Sequence, residues 1–524
     1  MTRTHPGSRA GTVTSTPSKS LITDHPGPVT FDSLDPATGE VVGTYPVHDI
    51  AAVGPAVARA RAATAFWSPL PFAERGRRLT RWAGVLTRRI GQLAELVHAE
   101  NGKPHSDAQL EIVLAIEHIA WAAKHAGKVL GPRKTSPGLL MRNHAATVEY
   151  QPLGVIGVIG PWNYPVFTPV GSIAYALAAG NAVVFKPSEH TPGVGAWLAD
   201  AFAQVVPEAP VLALVTCFGA TGEALCRAGV DKIAFTGSAA TATKVLHACA
   251  DGLVPVIIEG GGKDALLVDA DADIGAAADA AVWGGMSNAG QTCAGVERVY
   301  VHDKVYGAFV AEVTARVRDL RAGPGQKIGP MTMPTQPGVV HRHVADALGR
   351  GGKALIGGLE AVGERYVQPT VLLDVPEDSV AVTEETFGPT LTIAKVPGMD
   401  EAVRRANDSA YGLGATVFSR AHGAQLARRI RAGMVSVNSV MSFAAIPSLP
   451  WGGVRQSGFG RIHGPDGLRE FTAAKAIARQ RFRPPLHLTT FARTSGADKA
   501  IATLTTLRHG RATTLSKRGR RRRA

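Results

Sequence analysis

Short runs of β-branched and aliphatic residues recur between residues 155 and 258, and segments with helical spacing separate them. Strands that alternate with helices along a chain pack as a mostly parallel sheet with helices on both faces. The sequence therefore predicts an α/β fold with a doubly wound sheet. The runs are 155–159, 182–185, 211–215, 233–235 and 256–258.

Helical regions precede this stretch, and a second alternating stretch follows it. Residues 59–101 and 106–130 carry apolar side chains such as Trp82 and Leu86 at spacings of three and four. A new series of strand-like and helix-like segments starts near Ala265. A chain of 524 residues exceeds what one hydrophobic core holds, so we predict two Rossmann-like α/β domains with a ligand cleft between them.

The positive charge of the chain is concentrated at its ends. The formal net charge is +14, yet residues 481–524 hold twelve Lys or Arg and one acidic residue, Asp498. Residues 1–30 hold three basic residues and one acidic residue, so the remainder is nearly neutral. We expect both ends to be disordered. The basic tail is interpreted either as a solvated terminus or as a binding segment for an anionic partner such as RNA, DNA or an acidic membrane surface.

Cysteine usage and hydropathy indicate the compartment. Four cysteines in so long a chain, none of them in a Cys-x-x-Cys pair, argue against a disulfide framework. No apolar run reaches the roughly 18 residues that span a bilayer, and the N-terminus lacks an apolar block of signal-peptide length. We predict a cytoplasmic protein. The 17 histidines show no ligand spacing, so no metal site is expected.

One cysteine stands out because of its surroundings. Cys293 ends the small-residue run 288–293, and Glu259 lies 34 positions earlier, between an apolar run and three glycines. A thiolate attacks carbonyl carbon, and a carboxylate nearby can activate the water that hydrolyses the resulting thioester. The alternative interpretations are that Cys293 is a structural thiol and that Glu259 lies in a surface turn.

The segments around these two residues resemble the paired signatures of the aldehyde dehydrogenase superfamily. The resemblance extends from about residue 30 to about residue 480. It implies oxidation of an aldehyde to a carboxylic acid through a thiohemiacetal and a thioester on Cys293, with Glu259 as the base that activates water. The seven motifs that carry it, in the expected order, are 160–165, 185–189, 235–238, 258–263, 290–293, 384–389 and 450–453.

The resemblance also assigns an oxyanion site and a cofactor site. Asn163 resembles the asparagine whose amide, with the backbone N–H of Cys293, holds the oxyanion. Lys186 and Glu189 would bind the adenosine ribose, and the carboxylate favours NAD, although NADP is also accepted in the family. The remaining expected cofactor contacts are Ile159, Trp162, Gly237, Ser238, Gly260, Glu385 and Phe387.

Some positions depart from the family pattern or are ambiguous. Gly260 stands where leucine is usual, so we expect a looser turn at Glu259. Ile462 stands where some members carry an acidic residue that relays protons, so a relay here would use other groups. Lys263 is interpreted as a surface charge or a catalytic group, and His463 as a surface or loop histidine.

The substrate is open. Aromatic residues near the motifs line either an apolar tunnel, for a medium-chain, aromatic or terpenoid-like aldehyde, or the core. A dicarboxylic semialdehyde would need a cation, for which Arg298 and Arg455 are candidates. The aromatic residues are Trp162, Tyr164, Phe167, Trp283 and Phe443.

The resemblance implies a homodimer or homotetramer built through a small oligomerisation arm. Two other functions are kept: a CoA-acylating dehydrogenase, and a binding role of the tail with the body as scaffold. The predicted parts are an N-terminal extension (1–30), an NAD-binding domain (31–132 and 153–259), the arm (133–152 and 469–483), a catalytic domain (260–468) and the basic tail (484–524).

Overall fold

A computed structural model describes residues 29–484 and 489–510. The strands are β1 (Thr30–Leu34), β2 (Val41–Pro46), β3 (Arg133–Thr135), β4 (His144–Pro152), β5 (Val155–Ile159), β6 (Ala182–Lys186), β7 (Leu212–Leu214), β8 (Lys232–Thr236), β9 (Val256–Glu259), β10 (Asp264–Val268), β11 (Val296–His302), β12 (Lys353–Ile356), β13 (Thr370–Leu373), β14 (Thr390–Val396), β15 (Gly414–Phe418), β16 (Met434–Val437), β17 (Gly458–Phe459) and β18 (Thr472–Gln480). The helices are α1 (Ile50–Trp67), α2 (Phe72–Arg88), α3 (Ile90–Asn101), α4 (His105–Leu130), α5 (Phe167–Ala179), α6 (Pro192–Ala203), α7 (Gly219–Arg227), α8 (Ala239–Ala250), α9 (Ile274–Met286), α10 (Tyr306–Val317), α11 (Gln336–Gly349), α12 (Val380–Thr383), α13 (Met399–Asn407), α14 (Gly423–Ala427), α15 (Gly464–Glu470) and α16 (Ser495–His509).

The first large sheet has six strands in the order β17-β9-β8-β5-β6-β7. All of its strands run parallel except β17, which pairs antiparallel with β9 and places Gly458 opposite Glu259. From β5 the chain first builds outward to β6 and β7 and then returns to place β8 on the other side of β5. Ligands of doubly wound sheets bind where the strand order reverses in this way, at the carboxyl ends of the strands.

The second large sheet has seven strands in the order β12-β13-β14-β11-β10-β15-β16. All of its pairs are parallel except β12 with β13. The predicted α/β class with two parallel-sheet domains is confirmed. A separate antiparallel sheet of three strands, β18-β4-β3, lies within the segments predicted to form the arm.

Burial explains why the strands of the first sheet are continuous apolar runs. Every residue of β5 and β6 is buried, because helices cover both faces of the sheet. Helix α5 is buried along all 13 of its residues and lies at the centre of the larger hydrophobic cluster. A helix that is apolar all round belongs inside a large domain. Among the described residues, no helix is long and apolar enough to cross a membrane.

The predicted helical character of residues 59–101 is confirmed, and the region consists of three helices, because Pro71 starts α2 and Arg89 leaves helical geometry before α3. Disorder was expected throughout 484–524, yet residues 495–509 form α16, whose first turn is capped by Thr494. The expected disorder of residues 1–28 and 511–524 concerns segments outside the described residues.

Candidate active site

A cavity of about 760 Å³ opens at the carboxyl ends of β5 and β8, where the strand order reverses. It extends from the end of β6 to Cys293, so one continuous space connects the two predicted halves of the site. The residues predicted from the sequence that line it are Ile159, Trp162, Asn163, Lys186, Glu189, Gly237, Ser238, Gly260, Cys293, Glu385 and Phe387.

The predicted nucleophile and the predicted base are in direct contact. The Cys293 thiol donates to Glu259 Oε1 at 3.3 Å, and the Thr236 hydroxyl donates to Oε2 at 3.0 Å. Glu259 is buried, while Cys293 is half-buried beside the cavity. The sequence separation of 34 residues is therefore closed by the fold, with Glu259 held at the end of β9 and Cys293 just before β11.

Both groups of this pair hold their protons more tightly than usual. Burial raises the pKa of Glu259, although hydrogen bonding by Trp451, Cys293 and Thr236 opposes the rise. Desolvation raises the pKa of the Cys293 thiol, and the charge of Glu259 raises it further. A carboxyl group with a raised pKa beside a thiol is suited to take up a proton during the reaction.

The loop before Cys293 has an uncommon backbone. Asn288, Ala289 and Gly290 all have left-handed φ angles, of 52°, 55° and 70°. Glycine is required at 290, since a Cβ there would lie 2.0 Å from the Gly388 carbonyl oxygen. Non-glycine residues in this region are strained and are held by their surroundings. Here Gln291 provides that support, with Nε2 donating to the Asn288 carbonyl at 3.0 Å and Oε1 accepting from the Thr332 N–H at 2.9 Å.

Asn163 lies against this loop. Its Nδ2 donates to the Gln291 carbonyl at 2.9 Å, and its own carbonyl accepts from Asn288 Nδ2 at 3.0 Å. An amide nitrogen has two hydrogens, and among the described residues only that one bond to its nitrogen is formed. The second hydrogen is therefore available to an oxygen bound near Cys293.

A buried ion pair that the sequence analysis missed supports the Asn163 loop. Lys103 bonds Glu111 and donates to the Asn163 carbonyl at 2.8 Å, and its ammonium lies 3.8 Å from the centre of the Tyr164 ring. Glu111 also accepts from the Val166 N–H at 2.7 Å. The sequence gives no periodic signal for this pair, because Lys103 precedes the first residue of α4 whereas Glu111 lies inside that helix.

The end of the cavity next to β6 contains the predicted charged pair. Lys186 Nζ lies 3.7 Å from Glu189, which is partly exposed. Ser238 caps α8 by accepting from the Thr241 N–H at 3.3 Å, so the helix N-terminus faces this cavity. Backbone N–H groups at such an end bind phosphate oxygens. Glu189, Lys186 and the N-terminus of α8 line the same cavity, and their chemistry fits the ribose and phosphates of a dinucleotide.

A buried network holds Glu385 and Phe387, the residues predicted to contact the nicotinamide half of the cofactor. Glu385 accepts from the Gly262 N–H at 2.8 Å, and burial raises its pKa to about 8. Phe387 meets Trp162 edge to face, with ring centres 5.5 Å apart. Glu297, which the sequence analysis missed, accepts from the backbone N–H groups of Phe387 and Thr386 at 3.1 Å and 2.9 Å.

Lys263 belongs to this network, so its interpretation as a surface charge is wrong. It is fully buried, bonds Glu297 and donates to the Thr386 hydroxyl at 2.9 Å. Burial lowers the pKa of Lys263, and Glu297 opposes that effect. Through Glu297 and Thr386, Lys263 holds in place the segment that carries Glu385 and Phe387.

Gly260 does not loosen the turn after Glu259. Its N–H donates to the Ser457 carbonyl at 3.0 Å, and a Cβ at this position would lie 2.6 Å from the Gln456 carbonyl oxygen. The glycine lets the segment before β17 approach β9. The expectation of a looser turn at Glu259 is therefore wrong, because Gly260 allows a close, hydrogen-bonded contact there.

Trp451 lies beside the base. Its buried indole N–H forms no hydrogen bond of ordinary geometry within the described chain, yet it contributes to lowering the pKa of Glu259. Glu259, Trp451, Thr236, Ser172 and Ile462 border a cavity of about 10 Å³ behind the carboxylate. That volume is about the size that holds one water molecule.

His463 is not a surface histidine. It is completely buried, its φ is 64°, and neither ring nitrogen has a partner in the described structure. Its ring centre lies 3.7 Å from that of His118, with the two ring planes tilted by 38°. Burial lowers the pKa of His118 to about 4 and also lowers the pKa of His463, which favours the neutral form of both rings. His463 also contacts the Trp451 ring, with ring centres 6.2 Å apart.

The aromatic residues divide between two places. Phe167 and Phe443 pack on Trp451 with ring centres 6.0 Å and 5.7 Å away, and Trp451 borders the small cavity behind Glu259. Trp283 is 43% exposed and lines a different cavity of about 920 Å³. That larger cavity contains neither Cys293 nor Glu259, so it is not the reaction site.

The two candidate cations are engaged elsewhere. Arg298 is buried and donates to the carbonyls of Lys263 and Ala406, while Arg455 donates to that of Asn407. Neither lines the cavity at Cys293. Away from the cavity, Asp269, Asp271 and His422 meet with their ligand atoms within 4.8 Å, but Ser419 and backbone N–H groups already bond these carboxylates.

Known proteins are similar to this chain along most of their length. The sequence model of the aldehyde dehydrogenase family matches residues 23–477. The chain is 36% identical to 4,4'-diapolycopene aldehyde oxidase of a Methylomonas species, over 87% of each chain. The crystal structure of an NAD-dependent aldehyde dehydrogenase from Sinorhizobium meliloti is 34% identical, with a TM-score of 0.84 over 88% of this chain and 93% of that one. A succinate-semialdehyde dehydrogenase from Burkholderia pseudomallei is 33% identical, with a TM-score of 0.81 over 86% and 95%.

The doubly wound sheet, the helix end at its cavity and the thiol beside it define an oxidoreductase of the dinucleotide-binding class. NAD(P) dependence fits both the cavity and the relatives, which include NAD-dependent and NADP-dependent enzymes. The chain belongs to the aldehyde dehydrogenase family.

Proposed function

We propose that this protein oxidises an aldehyde to a carboxylic acid with Cys293 as nucleophile, Glu259 as base and Asn163 as oxyanion donor. The contact of 3.3 Å between the Cys293 thiol and Glu259, at the end of the cavity, carries the proposal. Lys186, Glu189 and the N-terminus of α8 would hold the adenosine half of the cofactor, and Glu385 and Phe387 the nicotinamide half.

The chain's own groups account for each proton. Cys293 gives up its proton to Glu259, and its sulfur bonds the aldehyde carbon, whose oxygen becomes negative and faces the free amide hydrogen of Asn163. NAD(P), held by the residues named above, would supply the hydride acceptor, and loss of hydride from this carbon would leave a thioester on Cys293. Glu259 passes its first proton to solvent and then takes one from water as the water oxygen bonds the thioester carbon. The carbon–sulfur bond then breaks and the acid leaves.

An apolar aldehyde fits the site best. Phe167, Phe443 and Trp451 form a buried aromatic wall beside Glu259, outside the lining of the cavity at Cys293, and Arg298 and Arg455 are both bound to carbonyl groups elsewhere. The relative named for a carotenoid-type aldehyde supports the same substrate class. A dicarboxylic semialdehyde, as named for another relative, would leave its second carboxylate without a cation among the described residues at the aromatic wall.

The test is NADH or NADPH formation by the purified protein with a panel of aldehydes. The panel runs from short to long chains and includes aromatic and carboxylated members, each tried with both cofactors. Turnover that increases with apolar chain length is the expected result. Faster turnover of a carboxylated aldehyde would contradict the substrate class, and silence of the whole panel with a reduced thiol would contradict the function.

Transfer of the acyl group to CoA is the second chemistry to test. Glu259 counts against it, because a base in contact with the thiol serves an attack by water. Adding CoA should change neither the rate nor the product. Formation of an acyl-CoA thioester, detected by mass spectrometry, would replace hydrolysis in the proposal.

We further propose that the protein is a homo-oligomer of the cytoplasm. Strand β18 is an edge strand of nine residues, eight of them exposed, and long exposed edges pair with other chains. The four cysteines are all free, which suits a reducing compartment. Light scattering of the purified protein distinguishes a dimer from a tetramer.

A further inference from the structure

Helix α16 has an apolar stripe and packs against nothing that buries it. None of its 15 residues is buried, and Leu504 and Leu507 are 41% and 68% exposed. The apolar positions 497, 500, 501, 504 and 507 recur at spacings of three and four, so they share one side of the helix. The opposite side carries Ser, Thr, Asp, Lys and His side chains.

An isolated helix of this length is marginal in water. Most helices are stabilised by packing an apolar face, and those of about 15 residues or fewer gain little from propensity alone. Threonines at 503, 505 and 506 lower the propensity further. The stripe of α16 therefore needs a covering surface.

The charge around the helix indicates what that surface is. Residues 481–524 contain twelve Lys or Arg and a single acidic residue, Asp498. Seven of these basic residues follow α16: Arg511 and the six Lys or Arg residues of the run 517–523. The rest of the chain is nearly neutral, so it offers no matching excess of acid.

We propose that α16 and the basic residues around it bind the surface of an anionic lipid bilayer. The helix lies along the interface with Ile501, Leu504 and Leu507 among the lipid chains, and the arginines and lysines contact the headgroup phosphates. Arg508, at the border of the stripe, extends its charged end towards the headgroups while its stem covers apolar surface. Stable attachment needs two signals of this kind, one apolar and one basic.

The stripe is what separates a membrane from a nucleic acid. A polyanion such as RNA would be bound by the basic residues alone, with a steep dependence on salt, and would leave the leucines exposed. A bilayer uses both features at once. If the proposed function holds, attachment also places the active site beside a phase that concentrates apolar aldehydes, but the binding itself does not depend on that activity.

The test uses the full chain and vesicles of phosphatidylcholine with or without phosphatidylglycerol. Co-flotation with the anionic vesicles is expected, with little on the neutral ones. Leu504→Ser with Leu507→Ser should weaken binding by at least about tenfold, whereas Leu253→Ser, a control at a fully exposed leucine of the body, should not. Ending the chain at residue 490 should abolish binding.

Three results would overturn the proposal. One is the absence of flotation with anionic vesicles at low salt. Another is that the double leucine variant binds anionic vesicles as well as the unchanged chain does, and that the unchanged chain binds an RNA oligonucleotide equally tightly. That result would mean that the tail binds any polyanion through charge alone. The third is a double variant that changes only the oligomeric state, which would place α16 between copies of the chain. Aldehyde oxidation in solution, measured on the same samples, is expected to be the same for all of these proteins.

Discussion

At the scale of single residues, the proposed catalytic pair behaves as one unit. The thiol of Cys293 and the carboxylate of Glu259 share a hydrogen bond, and burial raises the pKa of both groups. The charge of Glu259 raises the pKa of the thiol further, whereas the hydrogen bond from the thiol opposes the rise at Glu259. A change at one therefore alters the ionisation of the other. This coupling separates the two half-reactions experimentally.

Glu259→Gln should affect the two half-reactions in opposite ways. Removing the negative charge lowers the pKa of the Cys293 thiol, so the pH dependence of the first NADH burst moves to lower pH. Thioester hydrolysis loses its base, and steady turnover falls about a hundredfold or more. Stopped-flow absorbance across pH measures both. A burst that keeps its pH dependence would show that the thiol does not sense Glu259.

In the unchanged protein, turnover should fall on the acid side at a higher pH than for an ordinary glutamate. The base must be ionised, and burial raises its pKa, so activity is lost as the pH falls through that raised value. Trp451→Phe removes the indole N–H that opposes the rise. The acid limb should then move up by about one pH unit or less.

The control for Trp451→Phe is Trp82→Phe. Trp82 also has a buried indole N–H without a partner, but it packs in α2 on Phe202 and lies outside the active-site cavity. Its acid limb should stay in place. Equal shifts in both variants would mean that the effect comes from loss of packing rather than from the contact with Glu259.

Asn163→Ala should slow the chemical step about a hundredfold, because one preorganised oxyanion donor contributes about 3 kcal/mol. The expected change is in kcat, measured by NADH formation at saturating aldehyde. Asn407→Ala, at an exposed site where the amide bonds the Arg429 carbonyl, is the control. A loss of less than about tenfold would assign the oxyanion to another donor.

The sequence predicts candidate reacting residues but not the side chains that support them. Cys293, Glu259 and Asn163 stand in motifs with fixed local order, so they were predicted before any contact was known. Lys263 and His463 were misplaced, since a lysine after three glycines or a lone histidine has the same local pattern on a surface or in a core. Their partners, Glu297 and His118, lie 34 and 345 residues away along the chain.

At the scale of elements, strand positions followed from burial. All five predicted strands of the first sheet are present within one or two residues, because a buried parallel strand must be continuously apolar. Helix boundaries were harder. Pro69 and Pro71 mark the break between α1 and α2, but the apolar spacing of Leu86, Ile90 and Leu93 continues past Arg89. Periodicity alone could therefore not show where α2 ends and α3 begins.

The close approach of the segment before β17 to β9 predicts a strict need for glycine at 260. Gly260→Ala should lower the free energy of unfolding by about 1–3 kcal/mol, because the added Cβ meets the Gln456 carbonyl. Gly338→Ala is the matched control, since its Cβ in α11 meets nothing within 4 Å. Urea unfolding of both compares them. Equal stability of the two variants would contradict the contact.

At the scale of the whole molecule, the exposed strand β18 predicts assembly. Ile477→Asp places a charge on this edge strand, where Ile477 is 37% exposed, and should shift the protein to a lighter species in light scattering. Leu253→Asp, at an exposed turn outside that sheet, should leave the mass unchanged. A lighter species from the Leu253 change alone would place the interface elsewhere.

The two-residue strand β17 has a consequence for the architecture of the enzyme. The chain leaves the first large sheet after Glu259, builds the whole second sheet, and then returns to add β17 beside that same residue. The second sheet is thus an insertion in the first, and the pairing of β17 with β9 closes the insertion beside Glu259, the proposed base. A cut in a surface loop of the insertion would leave two fragments that are still held together by the β9–β17 pair. Activity would then persist until this strand pair separated.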